Sequence, residues 1–242
     1  MKKIFKHPKS LRKISTHYCP GCGHGIVHRL VAEVVDELRI REKVIAVTPV
    51  GCAVVAYDYW DFDCCESAHG RALAVATAIK RCRPENIVFT YQGDGDLAAI
   101  GTNETIHAAN RGENLTTIFI NNAVYGMTGG QMAPTTLIGQ KTTTTPWGRD
   151  SSYHGWPLKI SELLGLLRGV FYVERTSLYS PKEVLNTKRA IREAFLNQME
   201  KKGFSLVEIL SPCPTYWQMS PLKALDWIKE VMIKEFPLGR IK

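Results

Sequence analysis

The chain has no long uninterrupted hydrophobic run. Its longest apolar stretch, around Val44 to Trp60, is broken by Thr48, Pro49 and Asp58, so no membrane span is expected. The basic start, Met1-Lys2-Lys3-Ile4-Phe5-Lys6-His7-Pro8-Lys9, is followed by neither an apolar core nor a small-residue cleavage site, which argues against a secretory signal and for a cytoplasmic protein. No Lys/Arg run is interleaved with aromatics, so the net charge of +8 lacks the stacking platform of a nucleic-acid binder. A solubilising tail or an acidic protein partner accounts for it. There is no internal repeat and no low-complexity linker apart from Lys141-Thr142-Thr143-Thr144-Thr145. Glycine (19) and proline (12) are too few for collagen-like or disordered chains.

What remains is an ordinary globular composition, 45% apolar and 22% charged over 242 residues. That length fits one domain spanning 1–242, with a basic N-terminal segment carrying a Cys-X-X-Cys pair and a helical C-terminal tail. Seven cysteines, an odd number in a chain without a secretory signal, point to ligation or catalysis rather than a disulfide framework.

Periodicity predicts alternating helices and strands. Helices are expected at Gly25 to Leu38, Ser67 to Arg81, Leu97 to Asn110, Ile160 to Leu167, Pro181 to Glu200 and Leu222 to Lys234. Strands are expected at Lys43 to Val47, Ile87 to Tyr91, Leu115 to Ile120, Val170 to Glu174 and Phe204 to Leu210. The fold class is therefore α/β, a parallel sheet with helices on both faces. Cys52, Asp94, Asn121-Asn122 and Cys213 each follow a strand, at the carboxyl rim where such sheets bind ligands. Cys82 ends a helix on the opposite rim.

Gly93-Asp94-Gly95 follows an apolar strand and opens a helix. Glycines there let the backbone turn tightly, the helix aims amides at a phosphate, and Asp94 offers magnesium a hard oxygen. A second apolar strand ends in Asn121-Asn122, and the combination resembles the thiamine diphosphate signature. On that resemblance Asp94, the Asn122 amide oxygen and the Val124 carbonyl bind Mg2+, and Gly93, Gly95, Asp96, Gly126 and Met127 line the cofactor.

Cys19-Pro20-Gly21-Cys22 lets both sulfurs reach one centre, which by spacing alone could be zinc, an iron–sulfur cluster or a redox dithiol. Cys52 and Cys213, flanked by glycine or proline, could complete a four-sulfur cage. A redox-inert zinc would not explain a cage opening onto a carbanion cofactor, which favours [4Fe-4S].

The segments YCPGCGHGI, PVGCAV, ESAHGRALAVATAIK, FTYQGDGDLAAIG, IFINNAVYGMTGGQMAPTT and SPCPT together resemble the β subunit of 2-oxoacid:ferredoxin oxidoreductases, over about residues 15 to 215. The resemblance implies that Cys19, Cys22, Cys52 and Cys213 bind a [4Fe-4S] cluster and that Val50, Gly51, Cys52 and Ala53 contact thiamine diphosphate. It implies oxidative decarboxylation of a 2-oxoacid, with coenzyme A as co-substrate and ferredoxin as acceptor. No segment resembles the pyrimidine-binding half, so a partner α subunit is expected to bring it together with the activating glutamate; ferredoxin-like γ and δ subunits are further candidates. Cys52-Ala53-Val54-Val55 and Met127-Thr128-Gly129-Gly130 carry no positive charge for a distal carboxylate, which favours an aliphatic substrate. The wording is most like the branched-chain, 2-oxoisovalerate type.

Some residues have plainer readings. His69 is a candidate catalytic or diphosphate contact, or else a helix cap. His24 and His28 are expected to pack or be solvated rather than ligate, Cys64, Cys65 and Cys82 to be buried or half-buried, Glu66 and Glu104 to be surface or structural residues on helices, and 142–145 to be a solvated loop. Two rival functions stand beside the oxidoreductase: a non-redox thiamine decarboxylase or synthase subunit with structural zinc, and a zinc-stabilised binding module.

Overall fold

A computed structural model describes residues 6–242; the first five residues of the basic N-terminal segment lie outside it. Its elements are α1 (His24–Leu38), β1 (Val44–Pro49), α2 (Ala56–Tyr59), β2 (Asp63–Ser67), α3 (Ala72–Cys82), β3 (Ile87–Gly93), α4 (Thr102–Asn110), β4 (Thr116–Asn121), α5 (Ser151–His154), α6 (Ile160–Gly165), β5 (Val170–Ser177), α7 (Pro181–Met199), β6 (Phe204–Leu210), α8 (Pro214–Trp217), α9 (Pro221–Trp227), α10 (Ile233–Glu235) and β7 (Gly239–Arg240). The strands form one seven-stranded sheet in the order β2-β1-β3-β4-β6-β5-β7. All neighbours are parallel except β7, which returns antiparallel to β5.

Alternation along each strand divides the core between two faces. Phe89, Ile118 and Val207 pack with α1 and α7 through Val27, Val31, Ala190 and Phe195. Their neighbours Val88, Phe119 and Leu206 pack with α3, α4 and α6 through Leu73, Ala76, Ala108 and Leu164. The helices thus cover both faces, as expected. Among the described residues no helix is long and apolar enough to cross a membrane.

Four expectations are corrected. Ser67 and Glu66 belong to β2, an edge strand paired with β1, and not to a helix. The expected helix from Leu97 is interrupted by a π-type turn, Asp96–Ile100, closed by the Gly101 amide donating to the Asp96 carbonyl at 2.8 Å. Cys82 is exposed at the end of α3. Thr142 and Thr145 are buried, with hydroxyls 2.7 Å apart, so only the middle of that threonine run faces water.

Candidate functional site

β1, β3, β4 and β6 lie side by side, and their carboxyl ends carry Cys52, Asp94, Asn122 and Cys213. Between them opens a cavity of about 310 Å3 lined by Val50, Gly51, Cys52, Ala53, Gly93, Asp94, Gly95, Asp96, Asn122, Val124, Gly126 and Met127. Every residue expected to hold magnesium or the thiamine cofactor therefore faces one space. His24, His69, Ala99, Ile100, Ile120, Tyr125 and Thr128 complete the wall. A larger depression of about 630 Å3, beside Lys141, Trp217 and Trp227, has no acid, thiol or imidazole in its lining.

Asp94 is 3% exposed. One carboxyl oxygen accepts from the Gly95 amide and the other from the Thr135 hydroxyl, both at 2.9 Å. Burial nevertheless outweighs these bonds and raises its pKa to about 7. No cationic side chain forms an ion pair with it among the described residues, which leaves its oxygens open to a hard cation. The Asn122 amide oxygen accepts from the Val124 amide at 3.2 Å, and the turn between them places Ala123 at φ 57°. A non-glycine residue in that region is uncommon and marks a constrained turn. Beneath it, Asn121 donates to Glu208 at 2.7 Å, and Glu208 accepts from Arg175 at 2.8 Å, which fixes the turn to a buried ion pair. A Cβ at Gly51 (φ +124) or Gly93 would meet nothing within 4 Å, so both stand beside open space where a ligand can approach the backbone.

The sulfurs converge on the same rim. A Cβ at Gly21 (φ +78) would lie 2.6 Å from Pro221 and 3.2 Å from Pro214, and one at Gly23 would lie 3.1 Å from Pro212. Only glycine at those places lets the Cys19–Cys22 turn seat against the Cys213 turn. Tyr18 donates to the Cys52 carbonyl at 2.9 Å, tying the same segment to the third loop. Burial, then repulsion among the sulfurs, pushes Cys52 to about 11; burial likewise pushes Cys22 to about 11 and Cys213 to about 12. No cation is among the groups acting on these thiols, so bound metal would have to balance them as thiolates.

Gly126 marks where the cysteine loops approach the asparagine turn. A Cβ there would lie 3.3 Å from the Cys52 sulfur, 3.9 Å from the Cys213 sulfur and 3.8 Å from the Asn122 amide nitrogen. No three His, Cys, Asp or Glu side chains among the described residues close around a single ion. A zinc tetrahedron needs sulfurs about 3.8 Å apart, from its Zn–S bonds of about 2.3 Å. A four-iron cluster gives each sulfur its own iron and holds them farther apart.

Sequence reasoning missed Thr135, which reaches Asp94 from 41 residues away in the long loop. It also gave Asp96 a cofactor-lining role without seeing that its carboxylate is engaged within the chain, by His69, Gly70 and Gln92. His69 caps no helix: α3 has no side-chain cap. His24 and His28 are buried among Tyr18, Tyr59, Trp60 and Tyr91, as expected of packing residues, and burial lowers His24 to about 4.

The profile of the thiamine pyrophosphate enzyme C-terminal TPP-binding domain matches residues 50–209. The chain is 51% identical, over its full length, to the ketoisovalerate oxidoreductase subunit VorA of Methanothermobacter thermautotrophicus, of which it spans 53%. It thus spans about half the length of such relatives. It is 41% identical, over 90% of its length, to the 2-oxoglutarate synthase subunit KorB of Archaeoglobus fulgidus, of which it spans 77%. A solved 2-oxoglutarate:ferredoxin oxidoreductase from Magnetococcus marinus, with 2-oxoglutarate, coenzyme A and succinyl-CoA bound, superposes with a TM-score of 0.79 at 29% identity, covering 95% of this chain and 74% of that one.

Proposed function

The chain belongs to the thiamine pyrophosphate enzymes as a β subunit of the 2-oxoacid:ferredoxin oxidoreductases, and from that premise we propose that it carries out coenzyme A-dependent oxidative decarboxylation of an aliphatic 2-oxoacid within a hetero-oligomer. Asp94, the Asn122 amide oxygen and the Val124 carbonyl would hold Mg2+ and the diphosphate. Cys19, Cys22, Cys52 and Cys213 would hold a [4Fe-4S] cluster. When bound, thiamine diphosphate supplies the electron sink for decarboxylation, and the cluster supplies a one-electron exit to ferredoxin.

The observation that carries this reading is the space beside Gly126, where a Cβ would lie within 4 Å of two cysteine sulfurs and of the Asn122 side chain. The chain's own residues do the positioning: Thr135 and Gly95 orient Asp94, the Ala123 turn aims Asn122, and Tyr18 fixes the Cys52 loop. The cavity wall has no Lys or Arg and carries Val50, Ala53, Ile100, Ile120 and Met127, which suits an alkyl side chain better than a second carboxylate. The greater identity to the ketoisovalerate subunit than to the 2-oxoglutarate subunits favours a branched-chain 2-oxoacid.

The need for a partner α subunit is supported by what the surface presents. Trp147, Tyr153 and Trp156 are 93%, 85% and 74% exposed. Their loop is braced by the buried Arg149 guanidinium, which donates to the carbonyls of Pro134 (2.8 Å), Thr136 (2.6 Å), Gly155 (2.9 Å) and Trp156 (2.7 Å). Preformed aromatic anchors of this kind are what a stable subunit contact uses.

Anaerobic purification with the partner subunit, followed by iron, sulfide and zinc analysis and a 2-oxoacid panel, tests the proposal. The expected result is a brown complex that reduces ferredoxin with 2-oxoisovalerate, while the chain alone is inert. A colourless, thiamine-dependent decarboxylase would establish the non-redox alternative instead.

A further inference from the structure

His69 stands in the turn after β2, between the strand and α3, and lines the cavity. Its Nδ1 lies 2.6 Å from an Asp96 carboxyl oxygen. That oxygen also accepts from the Gly70 amide at 2.5 Å, and its twin accepts from Gln92 Nε2 at 2.7 Å. Asp96 is 2% exposed, so three donors hold an acceptor-only carboxylate in a fixed place. The turn cannot relax away from it. Gly70 has φ +76, and a Cβ there would lie 2.8 Å from the Gly101 amide and from Ile100.

A carboxylate that already accepts two other hydrogen bonds accepts a third from the imidazole, so the ring carries its proton on Nδ1. With the proton held at Nδ1, Nε2 carries the lone pair, an acceptor and a base, and among the described residues none bonds to that atom. The His69 side chain is 41% exposed, at the mouth of the cavity. A 2-oxoacid at neutral pH offers only acceptors, so it is not the complement of this atom. An S–H group is.

We propose that His69, positioned by Asp96, is the base that receives the thiol proton of the acyl-accepting co-substrate. The role rests on the oxidoreductase reading and deepens it. In the step itself the S–H bond breaks, the proton passes to Nε2, and the electron pair stays on sulfur, which becomes nucleophilic. The half-exposed ring then returns the proton to solvent.

The assembled complex, loaded with thiamine diphosphate, separates this role from a structural one. His69→Asn keeps an amide near Nδ1 for Asp96 but has no base at the Nε2 position. Carbon dioxide release and cluster reduction by 2-oxoisovalerate in a single turnover without coenzyme A should stay within twofold of wild type. Coenzyme A-dependent steady-state turnover should fall by about 100-fold, the order that a general base contributes. His69→Ala should show the same split and regain turnover when imidazole is added. Equal losses in both halves, or undiminished coenzyme A-dependent turnover, would overturn the role while leaving the enzyme class intact. A wild-type complex inert toward every 2-oxoacid would overturn the class, and the role with it.

Discussion

Replacing Asp94 by asparagine should make the metal-free chain more stable at pH 8 and less stable at pH 4. Burial holds this carboxyl at about 7, against an ordinary value of 3.8. At about 1.4 kcal/mol for each tenfold change in its proton equilibrium, the folded state disfavours the ionised form by about 4 kcal/mol. The sign follows from linkage. Below 3.8 both folded and unfolded states carry the proton and nothing is lost; between 3.8 and 7 the unfolded chain releases it first, and stability falls; above 7 the whole cost is present. Asparagine escapes that cost at every pH. It keeps the Thr135 bond, but its single oxygen cannot also serve the Gly95 amide, a loss of about 1 kcal/mol. The variant should therefore gain about 2 to 3 kcal/mol at pH 8 and lose about 1 kcal/mol at pH 4, read as the difference between urea unfolding curves in a chelator. Adding magnesium and thiamine diphosphate should stabilise wild type alone. A variant weaker at pH 8, or a difference that does not change with pH, would refute the account of Asp94 as a carboxyl held ready for a cation.

Arg175→Met should cost about 3 to 5 kcal/mol, because it strands Glu208 inside the sheet, 1% exposed and still bonded to Asn121. A loss under about 1 kcal/mol in urea unfolding would show that this buried pair does not support the asparagine turn. Cys52→Ser should lower iron and sulfide in the assembled complex while thiamine diphosphate binding persists; unchanged iron would remove Cys52 from the ligand set.

Much of this was legible because buried parallel strands leave unbroken apolar runs. β6 falls on the expected Phe204 to Leu210, and α1 and α7 begin and end within one residue of expectation. What failed had no local signal. β2 is an edge strand whose residues are exposed or half-buried in no clean alternation, so its strand character comes from pairing with β1. β7 is two residues long and exists only because the chain returns to β5. The π-type turn at Asp96–Ile100 follows from close approach to Gly70: a Cβ at Gly101 would lie 2.9 Å from the Gly70 carbonyl. A contact made 31 positions away in the chain leaves no trace in helical periodicity.

The site divides in the same way. Residues with rare chemistry, the cysteines and the Asp94 and Asn122 turns, could be read one strand end at a time. The groups that orient them could not, since Thr135 and Tyr18 are ordinary residues whose meaning lies in what they touch. Strand order explains why the separate motifs become one site. β3 and β4 are adjacent and put Asp94 beside Asn122, while β1 and β6 flank them on either side. The outer loops bring Cys52 and Cys213 inward from opposite sides, and they meet over Gly126. A Cβ at that position would press to within 3.3 Å of the Cys52 sulfur and lie 3.8 Å from the Asn122 amide nitrogen, so glycine is what lets the cysteine loops and the asparagine turn share one wall.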